Sequence, residues 1–293
     1  MSRRKTEEME KENRTDETLT INEDIVVTEF APDVFSFLRQ KDGYSNKTLE
    51  LSLDPDNNKE KVFKAGESQG KSGSFFFFSQ DQKFIIKTMT DSDFNAFMRL
   101  FRSYFRHVCS PKTRSLLARV YGVYSVKMGT QKPVKLVVMG NTMLVENFNN
   151  VRGVFDLKGS MVNRYCPGET NPKATVKDRN LLEICRENIY LQFKIKDIRQ
   201  INDRLREDAL LLKLYNLMDY SLLLCIEENK TFQGESAVTL CENFREKKAK
   251  NKLRHQFISE CGKWIYHLSV IDYLQDFNIE KKIENFLKTK KAS

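Results

Sequence analysis

The chain has 293 residues, of which 40% are hydrophobic, so it is long enough to bury a large core without disulfides or structural metals. Lysine and arginine number 49 against 40 aspartate and glutamate residues, which gives a net charge of +9. The high fraction of apolar residues excludes a fully disordered chain. A basic balance is typical of proteins that bind nucleic acid, an anionic membrane surface or a phosphorylated small molecule.

In the first half of the chain, residues 1–24 carry eight acidic and five basic side chains, which predicts a disordered acidic tail. Helical spacing of apolar residues predicts a helix over 31–40. Two Phe/Ile-rich runs, 75–78 and 84–86, flank a polar turn, which predicts a β-hairpin. An amphipathic helix is predicted over 91–108. Strand-like runs follow at 117–126, 134–139 and 151–157.

The second half of the chain begins with a predicted helix from about 195 to 217, which is followed by a short apolar strand over 221–226. Residues 228–256 are polar and increasingly basic, which predicts a surface insertion. Apolar sequence returns over 257–274 before a lysine-rich end.

Several classes of protein are excluded by motifs and segments that the sequence lacks. The six cysteines are far apart, and neither C-x-x-C nor H-E-x-x-H occurs, so a disulfide scaffold or zinc module is not expected. The apolar stretches are shorter than the ~20 residues that a membrane helix needs. The charged first twenty residues contain no apolar signal segment, so we expect a cytoplasmic protein with reduced thiols.

Two glycine-containing segments could bind phosphate. Residues 70–74 read GKSGS and enter the first strand of the predicted hairpin, while Lys87 ends the second. Glycine lets backbone N–H groups approach phosphate oxygens, and a fixed lysine supplies the opposing cation. Lys158 and Gly159 end another strand-like run. Taken alone, each pattern is more often a structural turn or a solvated surface loop.

Two aspartates, Asp219 and Asp272, stand beside apolar sequence where a carboxylate is costly unless it is paired, metal-bound or catalytic. For Asp219, capping of the preceding helix is the structural alternative. A glycine-rich hairpin, a strand lysine and two aspartates in this order are the groups used in metal-assisted phosphoryl transfer.

Six segments in this order resemble the catalytic domain of the phosphatidylinositol phosphate kinases over about residues 25–291, and the combination of DLKGS with MDYSLL is specific. The segments are GKSGSFFFFSQDQKFIIKTM, LLARVYGVY, VVMGN, FDLKGS, LMDYSLL and VIDYLQDF. The protein-kinase signatures H-R-D and D-F-G are absent.

The resemblance implies an α+β, two-lobed lipid-kinase fold distantly like protein kinases, with an antiparallel sheet in each lobe and flanking helices. The N-lobe would span about 25–140 and the C-lobe about 141–291, with the basic insertion at about 228–256. It also implies ATP and Mg²⁺ as cofactors, and transfer of a phosphoryl group to an alcohol of the inositol ring.

The resemblance further implies a role for each matching residue. Gly70, Gly73 and Ser74 would cover the ATP phosphates, and Lys87 would hold the α- and β-phosphates. Lys158 would be a second cation facing the nucleotide, and Met139, in the hinge strand Val137-Val138-Met139, would lie beside adenine. Asp219 would be the catalytic carboxylate near the attacking hydroxyl, and Asp272 the Mg²⁺ ligand.

The substrate implied is a phosphatidylinositol monophosphate, foremost phosphatidylinositol 4-phosphate with transfer to the 5-hydroxyl. A 3-phosphate 5-kinase and a 5-phosphate 4-kinase stay open, because FDLKGS and residues 177–182 favour the former, whereas GKSGSFFFF and MDYS fit the 4-phosphate 5-kinase and 5-phosphate 4-kinase branches. A weakened scaffold that binds phosphoinositide without phosphorylating it is the alternative of another class.

The lysine-rich end predicts peripheral binding to the cytosolic face of an anionic membrane, because its lysines are interleaved with Ile283, Phe286 and Leu287. The lysines are Lys281, Lys282, Lys288, Lys290 and Lys291. A solvated tail is the alternative for this segment. Nucleic acid is not expected as a partner, since the phenylalanines follow core periodicities, and a homodimer stays open.

Overall fold

The computed structural model describes residues 15–59, 75–112, 114–145, 147–187, 191–230 and 255–276. The chain divides into two compact units. Unit 1 takes in the chain up to Phe105 together with Ala118–Asn141, and unit 2 takes in Arg106–Leu117 and the chain from Thr142 onward. The sequence predicts a lobe boundary near residue 140. The short segment 106–117 is counted with unit 2 because Leu117 forms a β-bridge with Val270 there.

Unit 1 is built on a six-stranded antiparallel sheet in the order β1-β2-β5-β6-β4-β3. Its strands are β1 Glu17–Thr20, β2 Ile25–Glu29, β3 Phe76–Phe78, β4 Phe84–Met89, β5 Val120–Met128 and β6 Val134–Gly140. The predicted hairpin is present as β3 and β4, whose phenylalanine- and isoleucine-rich sequences suit a pleated, half-buried surface.

The helices α1 Pro32–Lys41, α2 Asn46–Ser52 and α3 Asp91–Cys109 accompany this sheet. Proline occupies the start of α1, where its missing N–H costs no hydrogen bond. The helix buries Phe35, whose ring contacts those of Phe97 and Phe101 of α3. Each fully buried aromatic side chain of this kind contributes about 1.5–3 kcal/mol. The helices predicted over 31–40 and 91–108 are therefore present, and α2 is additional.

Strand β1 lies within residues 1–24, which the sequence predicts to be a disordered tail. Its register pairs Leu19 with Val27 and Thr20 with Val26. The β-branched and apolar residues near the end of the charged segment thus add an edge strand to the sheet. The structure differs from the prediction over Glu17–Thr20, because charge averaged over the segment hides this short strand-forming run.

Unit 2 contains a five-stranded sheet in the order β11-β12-β10-β7-β8 and a two-stranded ladder of β9 and β13. The strands are β7 Val151–Leu157, β8 Thr175–Lys177, β9 Leu217–Met218, β10 Ser221–Glu228, β11 Gln256–Ile258, β12 Trp264–Ile271 and β13 Gln275–Asp276. The predicted α+β class is confirmed. An antiparallel sheet in each lobe holds for unit 2 except at β8, which runs parallel to β7.

Helices α4 Asp178–Glu187 and α5 Ile195–Leu214 belong to unit 2, along with a 3₁₀ turn at Phe148–Asn150. The sequence places the end of α5 near 217. The helix ends earlier because Asn216 takes a left-handed backbone conformation, with φ of +54°, before β9 begins. Helix α4 was not predicted. Among the helices of the described residues, none is both long and apolar enough to cross a membrane.

Candidate active site

Three of the predicted site residues come to one end of the unit 2 sheet. Central strand β10 pairs Ser221 with Ile271 of β12 and Leu222 with Leu157 of β7. Lys158 directly follows β7, Asp219 closely precedes β10, and Asp272 directly follows β12. Because the three strands are antiparallel neighbours, these positions lie at the same edge. The strand register therefore brings together residues that are far apart in the sequence.

The loops that carry the two aspartates are joined to each other. Met218 pairs with Gln275 and Leu217 with Asp276 in the β9–β13 ladder, so each aspartate lies between this ladder and the main sheet. Both aspartates have left-handed backbone conformations, with φ of +61° at Asp219 and +55° at Asp272. Aspartate is among the few residues other than glycine that are enriched there. Such conformations cost energy and are often found at functional sites.

The ammonium group of Lys158 lies 2.6 Å from Oδ1 of Asp219. The two side chains are 26% and 39% exposed, so a ligand can reach this pair from solvent. An ion pair of this exposure adds at most about 1 kcal/mol to stability. Its main consequence is chemical, since it sets a cation and a carboxylate side by side at the sheet edge.

The loop that carries Lys158 is held by Asp178, the first residue of α4. Oδ1 of Asp178 accepts hydrogen bonds from the backbone N–H groups of Lys158 (3.0 Å) and Gly159 (2.9 Å). Its Oδ2 accepts one from Nε of Arg164 at 2.7 Å. Burial alone would raise the pKa of Asp178, but the hydrogen bonds from Arg164 and Gly159 outweigh it and leave the pKa lowered.

Arg164 completes this support from the other side of the loop. Its guanidinium group also donates to the backbone oxygen of Asp156 and, at 3.0 Å, to the side-chain Oδ1 of Asp156. These acidic partners raise the pKa of Arg164 although its burial acts in the opposite direction. The sequence patterns predicted no site role for Arg164 or Asp178. The signal in the sequence was weak: Arg164 follows FDLKGS by four residues, and Asp178 begins a helix that was not predicted.

Lys87 and Met139 both lie in unit 1, on neighbouring strands. In the β4–β6 ladder Lys87 pairs with Val137, and Ile85 pairs with Met139. Val137 and Val138 are buried, whereas Met139 and Lys87 are half-buried. The predicted phosphate-binding lysine and adenine-facing strand thus lie in one part of the unit 1 sheet.

The remaining predicted site residues lie outside the described residues. These are Gly70, Gly73 and Ser74 of the phosphate loop and the five terminal lysines, Lys281, Lys282, Lys288, Lys290 and Lys291. Most of the predicted insertion over 228–256 lies outside them too, although Glu228 ends β10 and Gln256 begins β11.

The donor chemistry at the sheet edge fits a magnesium ion that is bound together with a nucleotide. Asp219 and Asp272 supply carboxylate oxygens, which Mg²⁺ prefers, and Mg²⁺ is commonly held by one or two carboxylates with substrate phosphates and water. In the described parts of the chain, no group of three or more His, Cys, Asp or Glu residues is arranged to hold a metal. Two carboxylates suit a Mg²⁺ ion whose other ligands are phosphate oxygens and water.

Comparison with known proteins gives a match to a family described as Phosphatidylinositol-4-phosphate 5-Kinase over residues 57–293. A probable phosphatidylinositol phosphate kinase of Dictyostelium discoideum is 33% identical over 200 residues, which are 68% of this chain and 27% of that protein. Phosphatidylinositol 4-phosphate 5-kinase 1 of Arabidopsis thaliana is 36% identical over 172 residues, 57% of this chain and 22% of that protein.

A relative with a different named substrate is also similar. The 1-phosphatidylinositol-3-phosphate 5-kinase FAB1A of Arabidopsis thaliana is 27% identical over 235 residues, which are 77% of this chain and 11% of that protein. The chain spans about a quarter of the length of the first two relatives and a smaller share of the third.

Proposed function

The chain belongs to the phosphatidylinositol-4-phosphate 5-kinase family, and from this we propose that it transfers the γ-phosphoryl group of ATP to an inositol hydroxyl of a phosphatidylinositol monophosphate. The observation that carries the proposal is the meeting of Lys158, Asp219 and Asp272 at one sheet edge, since these are the residues of the DLKGS, MDYSLL and VID motifs. We propose phosphatidylinositol 4-phosphate as the substrate and the 5-hydroxyl as the acceptor.

In the proposed reaction, Asp219 orients the attacking hydroxyl and its carboxylate accepts the hydroxyl proton. The neighbouring ammonium group of Lys158, 2.6 Å away in the structure, is within reach of negative charge that builds on the transferred group. Phosphoryl transfer needs little covalent work from the protein, so this positioning and charge neutralisation account for most of the catalysis.

Asp272, with Asp219 nearby in the fold, would hold Mg²⁺ together with the nucleotide phosphates. The ion would supply charge neutralisation for the phosphates and fix their orientation. Lys87 would bind the α- and β-phosphates, and Met139 would contact adenine. Gly70, Gly73 and Ser74 stay predicted as the loop that covers the phosphates.

We further propose that the protein acts at an anionic membrane on the cytosolic side. The five terminal lysines support this, because each basic residue near an anionic leaflet contributes about 1 kcal/mol at ordinary ionic strength. Flotation with vesicles containing phosphatidylserine should carry the wild-type chain, and replacement of the five lysines by glutamine should abolish flotation without loss of fold. Equal flotation of both proteins would contradict this part of the proposal.

The activity is tested by incubating the purified chain with Mg-ATP and vesicles that contain one of the three phosphatidylinositol monophosphates. We expect phosphatidylinositol 4,5-bisphosphate from the 4-phosphate lipid, identified by its headgroup after deacylation. If the main product is phosphatidylinositol 3,5-bisphosphate, made from the 3-phosphate lipid, the substrate is instead the one named for FAB1A. Phosphorylation of the 5-phosphate lipid would indicate a 4-kinase.

A matched pair of variants separates catalysis from folding. Asp219→Asn should lower the turnover number by at least ~100-fold, because it removes the proton acceptor. Asp203→Asn makes the same chemical change at an exposed position of α5 and should leave turnover within about twofold. If the folded wild-type chain binds these lipids but phosphorylates none of them, the scaffold reading replaces the enzyme.

A further inference from the structure

Asp208 of α5 is a buried carboxylate that the proposed chemistry does not use. Its side chain is 1% exposed, and it lines a largely apolar cavity of about 550 Å³ together with Leu212, Tyr220 and Val270. A carboxylate in such surroundings is costly to desolvate unless its contacts compensate. Its contacts with neighbouring segments must therefore offset this cost.

Asp208 makes two short contacts, one to the last turn of α3 and one to the segment that follows this helix. Its Oδ1 lies 2.6 Å from Nε2 of His107, in the last turn of α3. Its Oδ2 accepts a hydrogen bond from the backbone N–H of Leu116 at 2.7 Å. The side chain of His107 is 10% exposed and Leu116 is fully buried. Asp208 thus ties residues 107 and 116 to α5.

Leu116 in turn holds the strand that leads to Asp272. Its backbone oxygen accepts hydrogen bonds from the N–H of Val270 at 2.8 Å and from the hydroxyl of Ser269 at 3.0 Å. The adjacent Leu117 forms a parallel β-bridge with Val270. The pairing of β11 with β12 extends from Ile265 to His267 and no further toward the end of β12. Beyond it, segment 116–117 is the neighbour of β12 on this side.

The end of β12 is therefore held on both sides, by β10 through the pairing of Ser221 with Ile271 and by Leu116 through Val270. Asp272 comes next in the chain with a φ of +55°. A residue in this uncommon conformation keeps it only where the surrounding structure determines the backbone. The backbone that leads into Asp272 is thus held by hydrogen bonds on both sides of β12.

We propose that Asp208 is a positioning residue that, through Leu116 and Val270, sets the place of the Asp272 carboxylate for Mg²⁺. This rests on the proposed function, because it assigns to Asp272 the role of metal ligand. Asp208 itself touches neither the metal nor the substrate. Its loss should loosen the end of β12 and weaken metal binding more than it weakens nucleotide binding.

Three variants of the full chain test this. Asp208→Leu removes the contacts with His107 and Leu116 and keeps a side chain of similar size. Asp208→Asn keeps an oxygen that can accept a hydrogen bond from the N–H of Leu116. Glu207→Gln changes an exposed acid on the same helix and is the control. Binding of Mn²⁺ in the presence of a non-hydrolysable ATP analogue is measured by electron paramagnetic resonance. Amide hydrogen exchange is followed over residues 264–274.

We expect Asp208→Leu to weaken Mn²⁺ binding at least fivefold and to speed amide exchange at 270–272 at least tenfold. Asp208→Asn and the control variant should stay within about twofold of wild type in both measurements. Asp208→Asn also removes the buried charge, so an effect of lost charge on overall stability would appear in this variant too. Unchanged Mn²⁺ affinity in folded Asp208→Leu, or no Mn²⁺ binding by the wild-type chain, would overturn the proposal.

If Asp208→Leu does not fold, Ser269→Ala gives the second test, because it removes one of the two hydrogen bonds to the Leu116 oxygen. It should weaken Mn²⁺ binding two- to fivefold, and wild-type affinity would contradict the proposal. The metal readout does not need lipid phosphorylation. A wild-type chain that binds Mn²⁺ with this dependence on Asp208 but phosphorylates no lipid would refute the proposed function alone.

Discussion

The support of the Lys158 loop by Asp178 leads to a quantitative prediction for Asp178→Ala. The wild-type carboxylate accepts three hydrogen bonds, from Lys158 N–H, Gly159 N–H and Arg164 Nε. Its ion pair with Arg164 is well shielded, since each side chain is 11% exposed. Removal of Asp178 therefore leaves a largely buried guanidinium group with only part of its acceptors.

The expected cost is about 3 kcal/mol of unfolding free energy. Breaking a buried ion pair by removing one partner costs about 3–5 kcal/mol. The lower end applies here, because Arg164 keeps its contact with Asp156 at 3.0 Å and water can reach the vacated site. For a protein of this size, about 3 kcal/mol corresponds to a fall in melting temperature of about 6–12 °C.

The measurement is thermal unfolding followed by circular dichroism, at pH 7 and at pH 3. Folding lowers the pKa of Asp178, so its stabilising effect is complete above the unfolded pKa of about 3.9 and is lost as pH falls through the folded value. The difference between wild type and Asp178→Ala should therefore be largest at pH 7 and smaller at pH 3.

Asp203→Ala serves as the control, since it removes an exposed carboxylate of the same unit and should change stability by no more than about 0.5 kcal/mol. Two results would contradict this prediction: a melting temperature of Asp178→Ala within about 2 °C of wild type at pH 7, or a stability deficit that grows as the solution is acidified. The first result would mean that water replaces the contacts of Asp178 at little cost, and the second that folding does not lower the pKa of Asp178.

Three further predictions concern single side chains. Lys158→Met should lower the lipid-kinase turnover number by at least ~100-fold, because it removes a cation at the site of charge development, while exposed Lys173→Met should change it less than twofold. Burial would raise the pKa of Asp81, but hydrogen bonds from Ser52, Lys83 and Ser79 outweigh it and lower the pKa to about 2. Asp81→Asn should therefore lower the free energy of unfolding in urea by about 1 kcal/mol at pH 7. This difference from wild type should disappear as the pH falls from 4 toward 2, and a difference that stays constant would contradict the prediction. Burial raises the pKa of the Cys225 thiol to about 12 whereas Cys261 is exposed, so iodoacetamide at pH 8 should modify Cys261 in the native protein and Cys225 only after unfolding, as mass spectrometry can check.

Local sequence patterns predict many of the described elements. The apolar spacing over 91–108 corresponds to α3, which ends one residue later, and the Phe-rich runs around a polar turn correspond to β3 and β4. These patterns work because a helix or hairpin buries residues that are close in sequence, so its periodicity appears directly in the chain. Helix α4 was missed because its few apolar positions lie within a run of polar residues.

For the site, the sequence by itself identified Lys158, Asp219 and Asp272 as candidates, each from the residue type and its immediate neighbours. Only the tertiary structure decided that they share one edge of a sheet, through the pairing of Ser221 with Ile271 and of Leu222 with Leu157. It also revealed the supports, Asp178 with Arg164 and Asp208 with Leu116, whose partners are distant along the chain. Strand register and hydrogen bonds between distant segments depend on how the whole unit packs, and local periodicity carries no information about either.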